Sequence, residues 1–275
     1  MNEQHLMYSV EEGVATITFN RPSKLNALTP AMLMDFFKLV AEAAEDDAVK
    51  VILLTGEGRG FSAGLDLGVI GTGQSSEVEI VSASDPQWND TIGPELKRFY
   101  NGGWNGLITS RKPTIAAVNG PAFGWGFILS LHCDIRFAAK SALFNATFAR
   151  LGVPGEKNSA WLLTRLIGSA KAADLLYTAR RFDGEEAERL GVVNAVLEDD
   201  KLMDHAKEYA RSLASNSAPR SLAAMKAQIW TAIDDSYDSA FAASDREQDI
   251  ADKTEDFREG VKSLMEKRPP KFRGR

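Results

Sequence analysis

The chain has 275 residues, a net charge of −6, and ordinary fractions of hydrophobic (44%) and charged (25%) side chains. A chain of this length can bury a large core without a disulfide or a metal, and its negative charge argues against a nucleic-acid-binding protein. One cysteine excludes an intramolecular disulfide, and with only three histidines no metal site is expected. No apolar run reaches the ~18 residues of a membrane-spanning helix, and the N-terminus lacks a signal-peptide pattern, so the cytoplasm is the expected location.

The first half of the chain predicts strands that are each followed by a turn and a helix. Residues 14–19 alternate apolar and polar side chains, as a strand does. Thr29 and Pro30 are typical of an N-cap and a first helical position, and predict a helix over roughly 30–45. Two short apolar runs, 51–56 and 114–120, end in small-residue turns. Such successive units indicate an α/β fold whose loops gather at one edge of the sheet.

The second half is predicted to be mostly helical. Residues 134–138 and 143–145 are interpreted as a further pair of strands, and 192–197 as one more strand. Helices are expected from about 158, and long amphipathic ones from about 201 to the end. No segment has the composition of a linker between domains. The serine-rich, acidic segment 71–98 has no clear apolar face, and we interpret it as a mobile loop that covers a pocket.

Two glycine-rich turns are the first candidates for a functional site. One occupies residues 58–67, after a predicted buried strand, and the other occupies 119–126, where an apolar helix begins. Amides at the start of a helix have no intrahelical partner. Two such turns meeting at one point would aim two backbone N–H groups at one oxygen, which is an oxyanion hole. Each turn alone could equally be a plain tight turn, and neither fits a P-loop or a full dinucleotide fingerprint.

The order of short motifs resembles that of the crotonase (enoyl-CoA hydratase/isomerase) superfamily, over nearly the whole chain. Each motif is weak alone, and the resemblance depends on their order. The matching pieces are 20–22 (NRP), 26–28 (NAL), 61–66 (FSAGLD), 117–124 (AVNGPAFG), 133–136 (CDIR), 151–152 (LG), 163–168 (LTRLIG), 191–194 (GVVN) and 266–272 (EKRPPKF).

The resemblance implies a fold, an assembly and a ligand. It implies a spiral of ββα units over 1–200, a helical trimerisation region over 201–275, and a homotrimer or hexamer. It also implies an acyl-coenzyme A substrate and no cofactor besides the coenzyme A that the substrate carries. Carried over by motif, the oxyanion donors are the backbone amides of Leu65 and Trp125. The residues expected around coenzyme A are Lys24, Ala27, Ala63, Asp66 and, from a neighbouring subunit, Lys267 on the phosphates.

The sequence departs from the family at the catalytic acids. Hydratases of this family typically use two glutamates, and the matching positions here are Ile128 and Phe148. A third acidic position of the family, used by some isomerases, lies five residues after Leu151. That position is Glu156, which the resemblance makes the single base of an enoyl-CoA isomerase. Glycine is common in the family where this chain has Trp125. His132, on the apolar helix predicted after the second glycine-rich turn, is interpreted as a core or interface histidine.

Three functions remain open from the sequence. The favoured one is proton transfer on an enoyl-CoA by Glu156. The second is a hydratase, lyase or thioester hydrolase whose acid comes from 71–98. The third is a non-catalytic acyl-CoA-binding protein, which the loss of both usual glutamates would explain.

Overall fold

The computed structural model describes residues 5–70, 94–99 and 102–274. Its strands, in chain order, are β1 (Leu6–Glu11), β2 (Val14–Phe19), β3 (Val51–Gly56), β4 (Thr114–Val118), β5 (Ala122–Phe123), β6 (Ile135–Ala139), β7 (Leu143–Asn145), β8 (Phe182–Asp183) and β9 (Ala195–Leu197). Within the described residues they form a six-stranded sheet in the order β1-β2-β3-β4-β6-β9 and a three-stranded sheet in the order β5-β7-β8. Only β1 is antiparallel in the large sheet. The predicted α/β class is confirmed.

Helices follow or cover these strands. They are α1 (Pro30–Glu45), α2 (Leu67–Ile70), α3 (Gly106–Thr109), α4 (Trp125–Leu131), α5 (Ser159–Ile167), α6 (Ser169–Thr178), α7 (Gly184–Leu190), α8 (Leu202–Asn216), α9 (Pro219–Thr231), α10 (Tyr237–Ala251) and α11 (Glu255–Glu266), with short 3₁₀ helices at Pro22–Lys24, Pro94–Phe99 and Thr147–Leu151. The predicted start of α1 is confirmed, since the Thr29 side chain accepts a hydrogen bond from the Met32 amide. This cap satisfies one of the amides that a helix start leaves unpaired.

The core lies around the middle strands of the large sheet. All residues of β3 and β4 are buried, which is why their sequences are continuous apolar runs rather than alternating ones. Phe19 of β2 packs against Phe36 of α1 and Phe61 of the first glycine-rich turn, with ring centroids 5.4 Å apart in both pairs. The first turn is therefore attached directly to the core.

Parallel pairing brings the two glycine-rich turns to the same edge. β3 and β4 are parallel neighbours, with Leu54 opposite Ala116. Their carboxyl ends therefore leave the sheet side by side, as we expected from the sequence. After β4 the chain adds one short strand to the small sheet before it enters α4. This alternation between the large sheet, the small sheet and a helix is the ββα spiral.

Two details of the sequence interpretation were wrong or incomplete, and the structure does not test the mobile loop predicted for 71–98. The strands expected at 134–138 and 143–145 exist, but they do not pair with each other: β6 joins the large sheet and β7 the small one. The strands β1, β5 and β8 were missed: β5 and β8 have two residues each, and only the first of the six residues of β1 is buried. The segment 71–98 lies outside the described residues except for 94–98, which belongs to a 3₁₀ helix.

The C-terminal helices leave apolar side chains uncovered. Within α10 no residue is fully buried, and Leu264 and Met265 of α11 are both 80% exposed. The trimerisation expected of residues 201–275 stays a prediction. Among the described helices, none combines the length and the apolar character needed to cross a bilayer.

Candidate active site

Two asparagines hold the first glycine-rich turn. Asn26 is fully buried, and its amide group donates to the carbonyls of Glu57 (3.0 Å) and Gly60 (2.7 Å) while its oxygen accepts from the Arg21 amide (2.7 Å). Asn119, at the end of β4, donates to carbonyls of the same turn. Asn26 also has a positive φ of 57°, which asparagine tolerates better than most residues. Sequence reasoning placed both asparagines in motifs without assigning them this role.

The segment before α1 runs beside the first turn and orients the amide of Leu65. The Leu28 amide donates to the Gly64 carbonyl (2.7 Å), and the Asp66 amide donates to the Leu28 carbonyl (2.9 Å). A parallel bridge of this kind uses the groups on either side of Leu65, because successive peptide groups point to opposite sides of an extended chain. The Leu65 amide therefore points away from Leu28, and no described oxygen accepts it.

The second glycine-rich turn packs against the first at Gly64. The Phe123 amide donates to the Ser62 carbonyl at 2.9 Å. A Cβ on Gly64 would lie 2.5 Å from the Phe123 carbonyl oxygen and 3.2 Å from the amide nitrogen of Trp125, and φ of Gly64 is +88°. Only glycine permits this approach. It places the Trp125 amide beside the residue that precedes Leu65.

The amide of Trp125 is also available to a ligand. Trp125 is the first residue of α4, so its N–H has no intrahelical partner. The preceding amides are both used, by the Ser62 carbonyl and by the Asn145 carbonyl, but no described oxygen accepts the Trp125 hydrogen. Two backbone N–H groups without a described acceptor thus flank the contact between the turns. A pair of such donors aimed at one carbonyl oxygen would stabilise it as an oxyanion.

The carboxylate of Glu156 lies next to this pair of turns. Its Oε2 accepts a hydrogen bond of 2.6 Å from the indole Nε1 of Trp125, and the side chain is half-buried. The loop that carries it is strained, because Lys157 and Asn158 both have positive φ, at 49° and 62°. Non-glycine residues in this conformation cost energy and cluster at functional sites.

Aromatic packing fixes the indole that Glu156 contacts. The ring of Trp104, before α3, meets the Trp125 ring edge-to-face, with centroids 4.9 Å apart and an interplanar angle of 81°. The Lys157 ammonium lies 5.2 Å from the centroid of the Trp104 ring, within the range of a cation–π contact. Sequence reasoning singled out Trp125 and Glu156 but not their contact, and Trp104 carried no signal.

The usual acid positions of the family are apolar core in this chain. Ile128 is fully buried and Phe148 is 3% exposed. His132, one turn further along α4, is fully buried, and its Nδ1 donates to the Ile128 carbonyl at 2.8 Å. Burial without a partner for Nε2 lowers the pKa of His132 to about 4, so this histidine is neutral at pH 7.

The residues predicted to surround coenzyme A separate into two groups. Ala27, Ala63 and Asp66 lie together, since the Arg21 guanidinium donates to both the Ala27 carbonyl and the Asp66 carboxylate and the Ala63 amide joins the same segment. Lys24 is exposed at the end of the nearby 3₁₀ helix. Lys267 is exposed after α11, and none of its contacts within the described residues reaches the turns.

A spiral of ββα units with paired glycine-rich turns is typical of one class of acyl-coenzyme A enzymes. Comparison of the chain with known protein families gives the same class. The sequence model of the enoyl-CoA hydratase/isomerase family matches residues 9–275. The chain belongs to this family of enzymes, within the crotonase superfamily.

Relatives and solved structures carry several reaction names. The chain is 34% identical over 275 residues to the 1,2-epoxyphenylacetyl-CoA isomerase of Escherichia coli (strain K12), covering 99% of each protein. It is 34% identical to 4-chlorobenzoyl coenzyme A dehalogenase-2 of an Arthrobacter species, covering 78% of this chain and 74% of the relative. The crystal structure of an enoyl-CoA hydratase from Bacillus anthracis matches with a TM-score of 0.86 at 28% identity, covering 99% of this chain and 100% of the other. Family membership therefore does not by itself select a reaction.

Proposed function

We propose that the protein binds an acyl-coenzyme A thioester and isomerises its double bond by proton transfer, with Glu156 as the single base. The thioester oxygen lies between the backbone amides of Leu65 and Trp125, and Ala27, Ala63 and Asp66 line the coenzyme A channel. One observation carries the proposal. Among the described residues, the Glu156 carboxylate accepts a hydrogen bond of 2.6 Å from the Trp125 indole of the second turn, whereas the Asp66 carboxylate within the first turn is engaged by Arg21.

The chemistry needs one carboxylate and one anion site. Glu156 removes a proton from C2 of a 3-enoyl thioester, and the electrons of that C–H bond move into a dienolate. The two amides hold the negative oxygen, and each such donor typically contributes about 10²–10³ in rate. The carboxylic acid then returns the proton to C4, which gives the 2-enoyl thioester and restores the base. No further cofactor is required.

The apolar acid positions favour isomerisation over hydration. Adding water across a double bond calls for two carboxylates that hold and activate the water. Ile128 and Phe148 supply neither. Hydration, lyase chemistry or thioester hydrolysis would need an acid from residues 71–98, of which 71–93 lie outside the described part of the chain, and the isotope experiment separates these reactions.

The test follows proton transfer directly. The wild type and Glu156→Gln are incubated with a 3-enoyl-CoA in heavy water, and deuterium at C2 and C4 and the double-bond position are read by mass spectrometry. We expect isomerisation with exchange in the wild type and a loss of about 10²-fold or more in the variant. Glu208→Gln, an exposed change on α8, is the matched control and should keep wild-type activity.

Other outcomes point to the other functions. Incorporation of water without exchange at C4 would replace isomerisation by hydration. Release of free coenzyme A would indicate a hydrolase. Tight binding of acyl-CoA that survives Glu156→Gln, with no turnover of any of these substrates, would make the protein a binding protein.

A further inference from the structure

We propose that the Trp125 indole is a positioning group for Glu156, so that one residue orients the base through its side chain and binds the substrate oxygen through its backbone. This inference rests on the proposed function of the site. It assigns to the unusual tryptophan a role that a glycine at the same position could not perform, because glycine supplies the amide but no side-chain donor.

The loop that carries Glu156 cannot orient the carboxylate by itself. Within the described residues, the indole supplies the only hydrogen bond to the Glu156 side chain. The adjacent residues of the loop, from 151 to 155, are exposed, and Glu156 itself is only half-buried, so the indole N–H is the one directional contact on its carboxylate within the described residues. A glutamate on such a loop would sample several rotamers, and a misplacement of about 1 Å can cost 10²-fold in rate.

The donor itself is held rigidly. The Trp125 backbone is fixed at the start of α4, where the preceding Gly124 amide donates to the Asn145 carbonyl at 2.9 Å. The indole ring meets Trp104 edge-to-face at 4.9 Å, and Trp104 is only 4% exposed. An aromatic pair of this geometry is more favourable than its burial alone accounts for. The N–H that Glu156 accepts therefore has a defined direction.

The hydrogen bond leaves the base competent. The indole N–H engages Oε2, so Oε1 remains to take the proton from C2 and return it at C4. An indole is a donor only and does not compete for that proton. Because the same residue contributes the backbone amide near Gly64, the distance between the base and the thioester oxygen is set within a single residue of α4.

The kinetic test uses Trp125→Phe, which keeps the backbone amide and the aromatic ring but removes the N–H. We expect kcat to fall about 10- to 100-fold with KM changed by less than about twofold. The double variant Trp125→Phe/Glu156→Gln should be no slower than Glu156→Gln alone, because the indole acts through the carboxylate. The matched control is Trp161→Phe, which removes an indole that is stacked on Trp230 and makes no hydrogen bond to Glu156 within the described residues. An unchanged kcat in Trp125→Phe, or losses that multiply in the double variant, would overturn the inference.

A spectroscopic test separates this inference from the proposed function. Protein labelled with ¹⁵N at the indoles is examined by NMR, and the Trp125 signal is assigned as the one missing from Trp125→Phe. The signal should move upfield in Glu156→Gln, since a charge-assisted hydrogen bond is replaced by a neutral one. This shift is measurable even if the wild type isomerises no enoyl-CoA, which would refute the proposed function alone. A signal that stays in place would show that the indole does not donate to Glu156.

Discussion

The paired turns and the loop that carries Glu156 are held in opposite ways. The turns are fixed by several hydrogen bonds and by close packing: the Asn26 side chain alone makes three such bonds, and Gly64 lies too close to Phe123 for any side chain. The loop is exposed from residue 151 to 155, and its carboxylate is tied to the rest of the site by one indole. The unpaired backbone N–H groups are thus built into the fold, while the proposed base is held to it by a single hydrogen bond.

This contrast explains why one fold accommodates several reactions. The relatives of this chain are named isomerase, hydratase and dehalogenase, and all act on coenzyme A thioesters by name. A rigid oxyanion site suits every reaction that places negative charge on a thioester oxygen. Under the proposed function, the apolar Ile128 and Phe148 exclude hydration from the reactions that such a site catalyses in this chain.

The largest effect should come from adding one methyl group between the turns. In Gly64→Ala the new Cβ would lie 2.5 Å from the Phe123 carbonyl oxygen at a φ of +88°, so the turns must separate. Because the backbone amides of Leu65 and Trp125 would no longer point at the same oxygen, we expect kcat/KM to fall by about 10³-fold or more. Steady-state kinetics with a 3-enoyl-CoA measures this loss.

A second glycine gives the matched control. Gly152 has a similar φ of +71°, but a Cβ there would meet nothing within 4 Å. Gly152→Ala should cost only about 1–2 kcal/mol of stability from backbone strain, and activity should stay within a few-fold of the wild type. If both alanine variants were equally impaired, strain rather than contact between the turns would explain the loss.

Two asparagines with the same backbone conformation sharpen the comparison. Asn26 and Asn158 have φ of 57° and 62°, so glycine suits both backbones equally. Asn26→Gly removes three hydrogen bonds and leaves the Glu57 carbonyl and the Arg21 amide without partners, and we expect a loss of about 3 kcal/mol in the free energy of unfolding. Asn158→Gly removes an exposed side chain that makes no capping bond, and its change should stay within about 1 kcal/mol. Urea denaturation followed by circular dichroism measures both. Equal losses would mean that the turn depends on backbone conformation and not on these bonds.

Much of the fold could be predicted because its signals are local. The alternation in 14–19, the cap at Thr29 and the apolar run of β3 each report an element through its own residues. The partner of a strand is not local information. Nothing within 134–145 shows that β6 and β7 belong to different sheets, and two-residue strands such as β5 are too short for any period to appear.

The site divides in the same way. The glycines of the turns and the position of Glu156 could be found from spacing and from resemblance to the family. The bond from Trp125 to Glu156 joins residues 31 positions apart across a loop, and Trp104 reaches the pair from a different part of the chain. Such contacts depend on side-chain directions that spacing along the sequence does not encode.

The smallest expected effect tests whether the end of α4, where His132 lies, is excluded from water. Burial lowers the pKa of His132 from 6.5 to about 4, so below about pH 6.5 the unfolded chain binds a proton that the folded chain excludes. The contribution of His132 to the free energy of unfolding is therefore fully present above that pH and is lost as the pH falls toward 4. Between pH 7 and pH 5 this histidine should account for a decline of about 2 kcal/mol.

His132→Leu should remove that part of the pH dependence, measured by urea denaturation at several pH values. Ile128→Val, a core change without a titrating group, should lower stability by about 1 kcal/mol at every pH and leave the slope intact. If His132→Leu did not reduce the pH dependence, water would have to reach the end of α4. The helix that carries Trp125 would then be less well enclosed than the contrast between the turns and the loop implies.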